Sequence, residues 1–167
     1  MMSSAISTIR ASVTNPIAAR QQVLEEERKE RERLAYMDSI GKLLALSPRE
    51  FEEVIRSLFV GLGVLQDASV VGGSGDRGAD IIGTNHSGEK IIIQCKRYAP
   101  GSRVGTPDIQ RFIGAIHIHK AARGIFVATC SFSGPAEALA EEHHVGLADG
   151  ERCVRLLQRL SEQQQQH

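Results

Sequence analysis

No net charge marks this chain: twenty basic residues cancel twenty acidic ones, so global charge gives no sign of a polyanionic partner. No apolar run approaches the ~18 residues that a membrane-crossing helix needs, which excludes an integral helical membrane protein and a membrane partner. Cysteine is scarce. Cys95, Cys130 and Cys153 are odd in number, far apart and without a Cys-x-x-Cys pair. That excludes a disulfide framework and a structural zinc site, and it fits a reducing compartment, so the expected location is cytoplasmic. There is no internal repeat.

What is present suits one compact domain with some extra chain. Apolar residues make up 41% of the 167 and charged residues 24%, enough for a buried core with an ordinary charged surface. The charge is unevenly spread. Residues 90–123 hold seven bases (Lys90, Lys96, Arg97, Arg103, Arg111, Lys120 and Arg123) and one acid, Asp108. Such a run is compatible with a solvated face as well as with a binding surface. The first twenty residues have no acid, two arginines and several Ser/Thr, a loose likeness to an organelle transit peptide. A disordered N-terminus is the simpler expectation. Residues 162–167, which end in four glutamines and a histidine, are expected to be a disordered tail.

Residues 1–46 differ in character from 47–161. The first segment contains nine successive charges, Glu25-Glu26-Glu27-Arg28-Lys29-Glu30-Arg31-Glu32-Arg33, strong helix formers with opposite signs three and four apart. Leu34, Met37, Ile40 and Leu44 follow at helical spacing. An extended helix is predicted, its C-terminal half packing on the domain, on a second copy or on a protein partner. In the second segment Ser47-Pro48-Arg49-Glu50 reads as a capping box with proline at the first helical position. Phe51, Val54, Ile55, Leu58 and Phe59 form its apolar stripe, and Gly61 and Gly63 end it. Strands are predicted at 65–71, 79–84 and 90–98, the last two joined tightly through Asn85-His86-Ser87-Gly88. A helix capped by Thr106-Pro107-Asp108 should run to about 120, followed by a strand at 124–129. A helix opened by Ser133-Gly134-Pro135, a strand at 145–147 and a helix capped by Asp149 complete the chain to about 160. The order α-β-β-β-α-β-α-β-α implies an α/β fold: an antiparallel meander extended by parallel strands into one mixed sheet flanked by helices.

Two segments carry chemistry. One is Gly72-Gly73-Ser74-Gly75-Asp76-Arg77-Gly78-Ala79-Asp80; the other is Gln94-Cys95-Lys96-Arg97. On a strand, Gln94 and Lys96 project from one face and Cys95 from the other. An amide and an ammonium continuing the Ile92 face are costly to bury without partners. A hairpin would bring Asp80 beside them. A carboxylate and an amide oxygen suit a hard cation such as Mg²⁺, and the ammonium can help activate water and stabilise phosphate charge. Those groups suffice for phosphodiester hydrolysis.

On these residues the chain resembles the catalytic domain of Mrr-like type IV restriction endonucleases, in the PD-(D/E)xK nuclease superfamily. The likeness spans about 51–157 and rests on five pieces in order. They are Phe51-Glu52, the glycine-rich segment ending in Asp80, Gln94-Cys95-Lys96-Arg97, Thr129-Cys130-Ser131-Phe132-Ser133 and Leu147-Ala148-Asp149-Gly150. The resemblance implies a restriction-endonuclease-like core and a DNA endonuclease of restriction or defence that uses Mg²⁺, with Mn²⁺ as a substitute. It implies Asp80 as metal ligand, Gln94 as neutral oxygen ligand in place of the usual acid, Lys96 as the catalytic lysine and Glu52 as the helix acid. Glu52 is preferred to Glu53 because it directly follows Phe51. Asp76 fits the glycine-rich motif and could serve the loop's structure. Ala79 departs from the pattern, which expects a β-branched residue there. Arg97, Arg103, Arg111 and Lys120 are the expected contacts to the DNA backbone. Two cuts in a duplex would suit a homodimer, and no separate recognition domain is evident.

Other readings of the same residues lead elsewhere. Gly73-x-Gly75-x-x-Gly78 fits a dinucleotide fingerprint, but strand and turn residues follow where that motif needs a helix. His117 and His119, two apart on a helix, diverge. His143-His144 would sit at a helix end, where a cation is favoured. Cys95 faces the apolar side of its strand and reads as core. A nuclease-like fold used only for binding or scaffolding, or a nuclease acting on RNA, are the competing functions; the first would lack a catalytic residue.

Overall fold

The computed structural model describes residues 16–73 and 75–165, with the backbone alone for 30–38, 164 and 165. The chain divides into two compact units, residues 1–38 and 39–167. Helix α1 (Pro16–Ala45) begins in the first and ends in the second. In the first unit residues 16–29 are exposed, and Glu25 accepts from Nε and Nη2 of Arg28 at 3.0 and 2.7 Å. The leader-like composition falls largely on residues 1–15, outside the described residues. Residues 16–20 are helical, which corrects the expected disorder there; Pro16 opens the helix, where its missing N–H costs nothing.

The unit boundary precedes the 46/47 division read from the sequence, because Ile40 and Leu43 are buried in the second unit. Leu44 is half-buried; the side chains of Leu34 and Met37 lie outside the described residues. Helix α2 (Pro48–Gly61) opens on the capping box: Glu50 N donates to Ser47 Oγ, and Ser47 N donates to Glu50 Oε2. Its stripe of Phe51, Ile55, Leu58 and Phe59 is buried. The main sheet has the order β1-β2-β3-β5-β7. Strands β1 (Asp67–Val70), β2 (Ile81–Thr84) and β3 (Lys90–Lys96) form the antiparallel meander. Strands β5 (Arg123–Ala128) and β7 (Gly146–Ala148) add in parallel, as β-α-β connections require.

Two short strands were not expected. β4 (Arg103–Val104) and β6 (Ser131–Phe132) pair in parallel as a separate ribbon. Helix α3 (Thr106–Ile118) has Gly105, not Thr106, at its N-cap. Helix α4 (Gly134–Glu142) is capped by Ser133 Oγ, and α5 (Gly150–Gln165) by Asp149, whose Oδ1 accepts from Arg152 N at 2.8 Å. The expected tail at 162–167 is corrected through Gln165, which is helical; glutamine propagates a helix well. Residues 166–167 lie outside the described residues.

Helices α3 and α4 cover the sheet face that carries Ile92, Phe126 and Ala128. Phe126 stacks edge-on against Phe112 of α3, and again against Phe132 of β6. Helices α2 and α5 pack on the sheet as well, α2 on β1 and β3, α5 on β5 and β7. This α/β/α layering leaves the C-terminal ends of β3 and β5 open beside the glycine-rich loop.

Candidate active site

The β2–β3 pairing brings the expected residues together. Asp80 precedes β2, and its N–H donates to Ile93 O at 2.9 Å, extending the ladder by one residue. Its carboxylate is thereby carried to the end of β3. Oδ2 accepts from Gln94 Nε2 at 2.5 Å and from the Cys95 N–H at 2.6 Å. Asp80 is only 7% exposed. Gln94 and Lys96 lie opposite Phe126 and Ala128 and line a cleft of about 270 Å³ with Asp76, Gly78, Asp80, Asp108, Arg111, Phe112 and Phe126. Thr129 fixes the strand end that bears Lys96. Its N–H donates to Lys96 O at 3.0 Å, and its buried hydroxyl donates to Tyr98 O and accepts from Tyr98 N.

The glycine-rich loop is shaped by Asp76 and lies along α3. Asp76 Oδ1 accepts from Gly78 N at 3.0 Å and Oδ2 from Gly73 N at 3.4 Å, while Asp76 O contacts His119 Nε2 at 2.9 Å. Gly78 is required twice over. Its φ is +85°, and a Cβ there would stand 3.0 Å from the Ala115 methyl, closer than packed carbons allow. Asp76 is thus a structural residue of the loop, and its charge also acts on the site.

Electrostatics bind these acids into one group. Asp80's carboxyl is held above its usual range, first by burial and also by the charge of Asp76; the Cys95 N–H, Lys96 and Gln94 oppose the shift. Glu52, half-buried on α2, is raised first by burial and next by Asp80, with Asp76 and Glu53 adding and Arg49 opposing. Its carboxylate lies against Gly72, where an added Cβ would be 2.9 Å from Oε2. Glu53 is engaged elsewhere, with Arg56 at 2.8 Å and Arg49 at 3.5 Å. Among the described residues no three His, Cys, Asp or Glu side chains gather as a metal-holding group. A cation here would draw on Asp80, Glu52 and the Gln94 amide oxygen. Mutually repelling carboxylates beside an oxygen donor fit a hard divalent cation.

The expected basic contacts are placed differently from one another. Arg97 is half-buried, and its Nη1 donates to the carbonyls of Leu44 and Leu46, tying the strand end to the end of α1. Arg111 stands at the cleft, paired with Asp108. Arg103 and Lys120 are exposed, at either end of α3. Cys95 faces away from Gln94 and Lys96, and burial pushes its thiol well up. His117, His143 and His144 line another cleft with Glu142 and Arg123. Asp108 and Asp76 are the site residues that sequence reasoning left without a role in the cleft. Asp108 was visible as the single acid in a basic run, but nothing in the sequence marked it as Arg111's partner there.

A mixed sheet flanked by helices, with an acid at one strand's start and an amide and lysine ending the next, defines the restriction-endonuclease fold. By structure the chain is similar to the DNA modification-dependent restriction endonuclease AspBHI, with TM-score 0.60 and 22% identity over 78% of this chain and 36% of that one. A weaker likeness, TM-score 0.49 and 22% identity over 86% of this chain and 31% of that one, is to the MspJI restriction endonuclease in complex with a 27-mer oligonucleotide. Residues 43–157 match the Mrr_cat restriction endonuclease family. The chain belongs to that family. It is 37% identical over 124 residues to the type IV methyl-directed restriction enzyme EcoKMrr of Escherichia coli K12. The match takes in 71% of this chain and 40% of that enzyme, so the chain spans well under half the length of its curated relative.

Proposed function

We propose that this chain is a divalent-cation-dependent DNA endonuclease that hydrolyses phosphodiester bonds in restriction of, or defence against, foreign DNA. The observation that carries the reading is the buried Asp80 carboxylate, fixed by Gln94 and the Cys95 N–H in one cleft with Lys96. A bound Mg²⁺, or Mn²⁺ in its place, would supply Lewis acidity and make water nucleophilic near neutral pH. Asp80, Glu52 and Gln94 would hold it. Gln94 spends its amide N–H₂ on Asp80, which leaves Oε1 for the cation. Lys96, with no ion pair among the described residues, keeps its ammonium for the phosphate and for proton transfer at the attacking oxygen. Arg103 and Lys120 are suited to backbone phosphates, with affinity that falls as salt rises, and Arg111 stands at the cleft to contact the DNA held there. Arg97 serves this surface by holding the strand end rather than by reaching outward.

Among the described residues no helix is long and apolar enough to cross a membrane. The three cysteines are free, in keeping with action in the cytoplasm. A homodimer would allow both strands to be cut. The test is cleavage of supercoiled plasmid by wild type and Asp80→Ala with Mg²⁺, with Mn²⁺ and with EDTA. Metal-dependent nicking that the substitution removes supports the reading. Cleavage retained by the variant, or none by wild type under any metal, counts against it.

A further inference from the structure

Helix α3 is amphipathic in a way that its packing does not fully explain. Ile109, Phe112 and Ala115 face the core. On the outer side Pro107, Gln110, Arg111, Gly114 and Ile118 recur at spacings of three and four, so they share one face. That face borders the cleft, since Arg111 belongs to both. Gly114 sits in its middle. A Cβ added at Gly114 would meet nothing within 4 Å, and its φ is not in the left-handed region. Neither packing nor backbone geometry therefore calls for glycine there, although glycine is the poorest helix former after proline. What it provides is room for an outside group to approach the helix backbone. Ile118, one turn on, is 56% exposed.

Resting on the nuclease reading above, we propose that the outer face of α3 is the surface that enters the major groove of duplex DNA beside the scissile phosphate. Gly114 is the point of closest approach, and Gln110 and Arg111 face the base edges. Three observations commit the face to DNA. It adjoins the cleft where the phosphate would be cut. Arg103 and Lys120 stand exposed at its two ends, without ion pairs among the described residues, as a helix flanked by two phosphate backbones needs. Its central side chains are an amide and a guanidinium, the groups that pair bidentately with adenine and guanine. A helix of about 20 Å fits along a groove of about 12 Å width.

The test is affinity for a labelled duplex in EDTA, by fluorescence anisotropy, with melting and sedimentation of each protein and plasmid cleavage in Mg²⁺ alongside. Gly114→Leu should melt no lower than wild type, because its Cβ would meet nothing within 4 Å and leucine propagates a helix better than glycine, yet bind duplex at least tenfold more weakly. Gln110→Glu, an exposed change that puts a negative charge toward the groove, should weaken binding without touching the fold. Gly41→Leu, exposed on α1 where an added Cβ also meets nothing within 4 Å, should bind as wild type does. Wild-type affinity in both α3 variants overturns the inference while leaving the nuclease reading intact. So does a loss of self-association with duplex affinity unchanged, since the face would then be a contact between copies. A wild-type protein that neither binds nor cuts DNA removes the nuclease reading, and this inference with it.

Discussion

Replacing Asp80 by asparagine should abolish the proposed cleavage and stabilise the fold in the same step. The carboxylate is 7% exposed, lies within the field of Asp76 and Glu52, and is compensated by two short hydrogen bonds and Lys96. Burial and Asp76 outweigh that compensation, so the group titrates higher in the folded chain than in the unfolded one. Between the two values the folded state holds a proton that the unfolded state has lost. Stability therefore falls as pH rises through that window, which opens near the ordinary carboxylate value of about 3.9. Above the window the ionised group destabilises the fold by the full difference. Asparagine keeps an oxygen for Gln94 Nε2 and the Cys95 N–H and sheds the charge. The gain at pH 7.5 without metal should be about 1 kcal/mol, in the range found when a destabilised functional group is neutralised, or a rise of about 4 °C in Tm. Melts in EDTA at pH 7.5 and at a pH below the window test this: the difference should shrink toward zero in acid. Added Mg²⁺ should raise the wild-type Tm and leave the variant nearly unmoved. A variant that melts below wild type at pH 7.5 would refute the reasoning, because the hydrogen bonds to the charge would then outweigh its burial.

Three further outcomes are expected. Gly78→Ala must place a side chain at φ +85° against the Ala115 methyl; it should cost about 3 kcal/mol from backbone strain and crowding together, read by urea denaturation, and lower cleavage. Thr129→Val removes both hydroxyl bonds to the Tyr98 backbone from a buried position. It should cost about 2 kcal/mol, visible as a lower Tm, with Thr129→Ser recovering most of it. Deleting residues 1–33 keeps Ile40 and Leu43, the residues of α1 that are buried among those described, so thermal melting should show a folded domain with Tm within about 2 °C of the full chain.

Much of the site was legible because its residues break local rules. Gln94 and Lys96 interrupt an apolar strand face, and a polar pair there needs partners; the β2–β3 ladder supplies Asp80. The capping box at Ser47 and the cap at Asp149 could be read because each is a local hydrogen bond written into neighbouring residues. Features set by distant contacts were not readable. The β4–β6 ribbon has two residues in each strand, too few for any periodicity, and its partners are brought together only by the tertiary fold. Arg97 was expected at DNA because a charge beside the expected catalytic lysine carries no mark of its partner; only the fold brings the Leu44 and Leu46 carbonyls to it. The cap of α3 falls on Gly105, whose extended backbone (ψ 172°) serves where its side chain cannot. The glutamines of α5 look like tail by composition, yet they continue an established helix, where propagation costs little.

The most direct test of the site is cleavage by Lys96→Ala, with duplex binding and melting measured on the same preparation. Lys96 ends β3 at the cleft without an ion pair among the described residues, and its strand is fixed through backbone bonds to Thr129. Truncation should therefore leave Tm and affinity near wild type and reduce metal-dependent cleavage to background. Unchanged cleavage by Lys96→Ala would contradict the assignment of the active site.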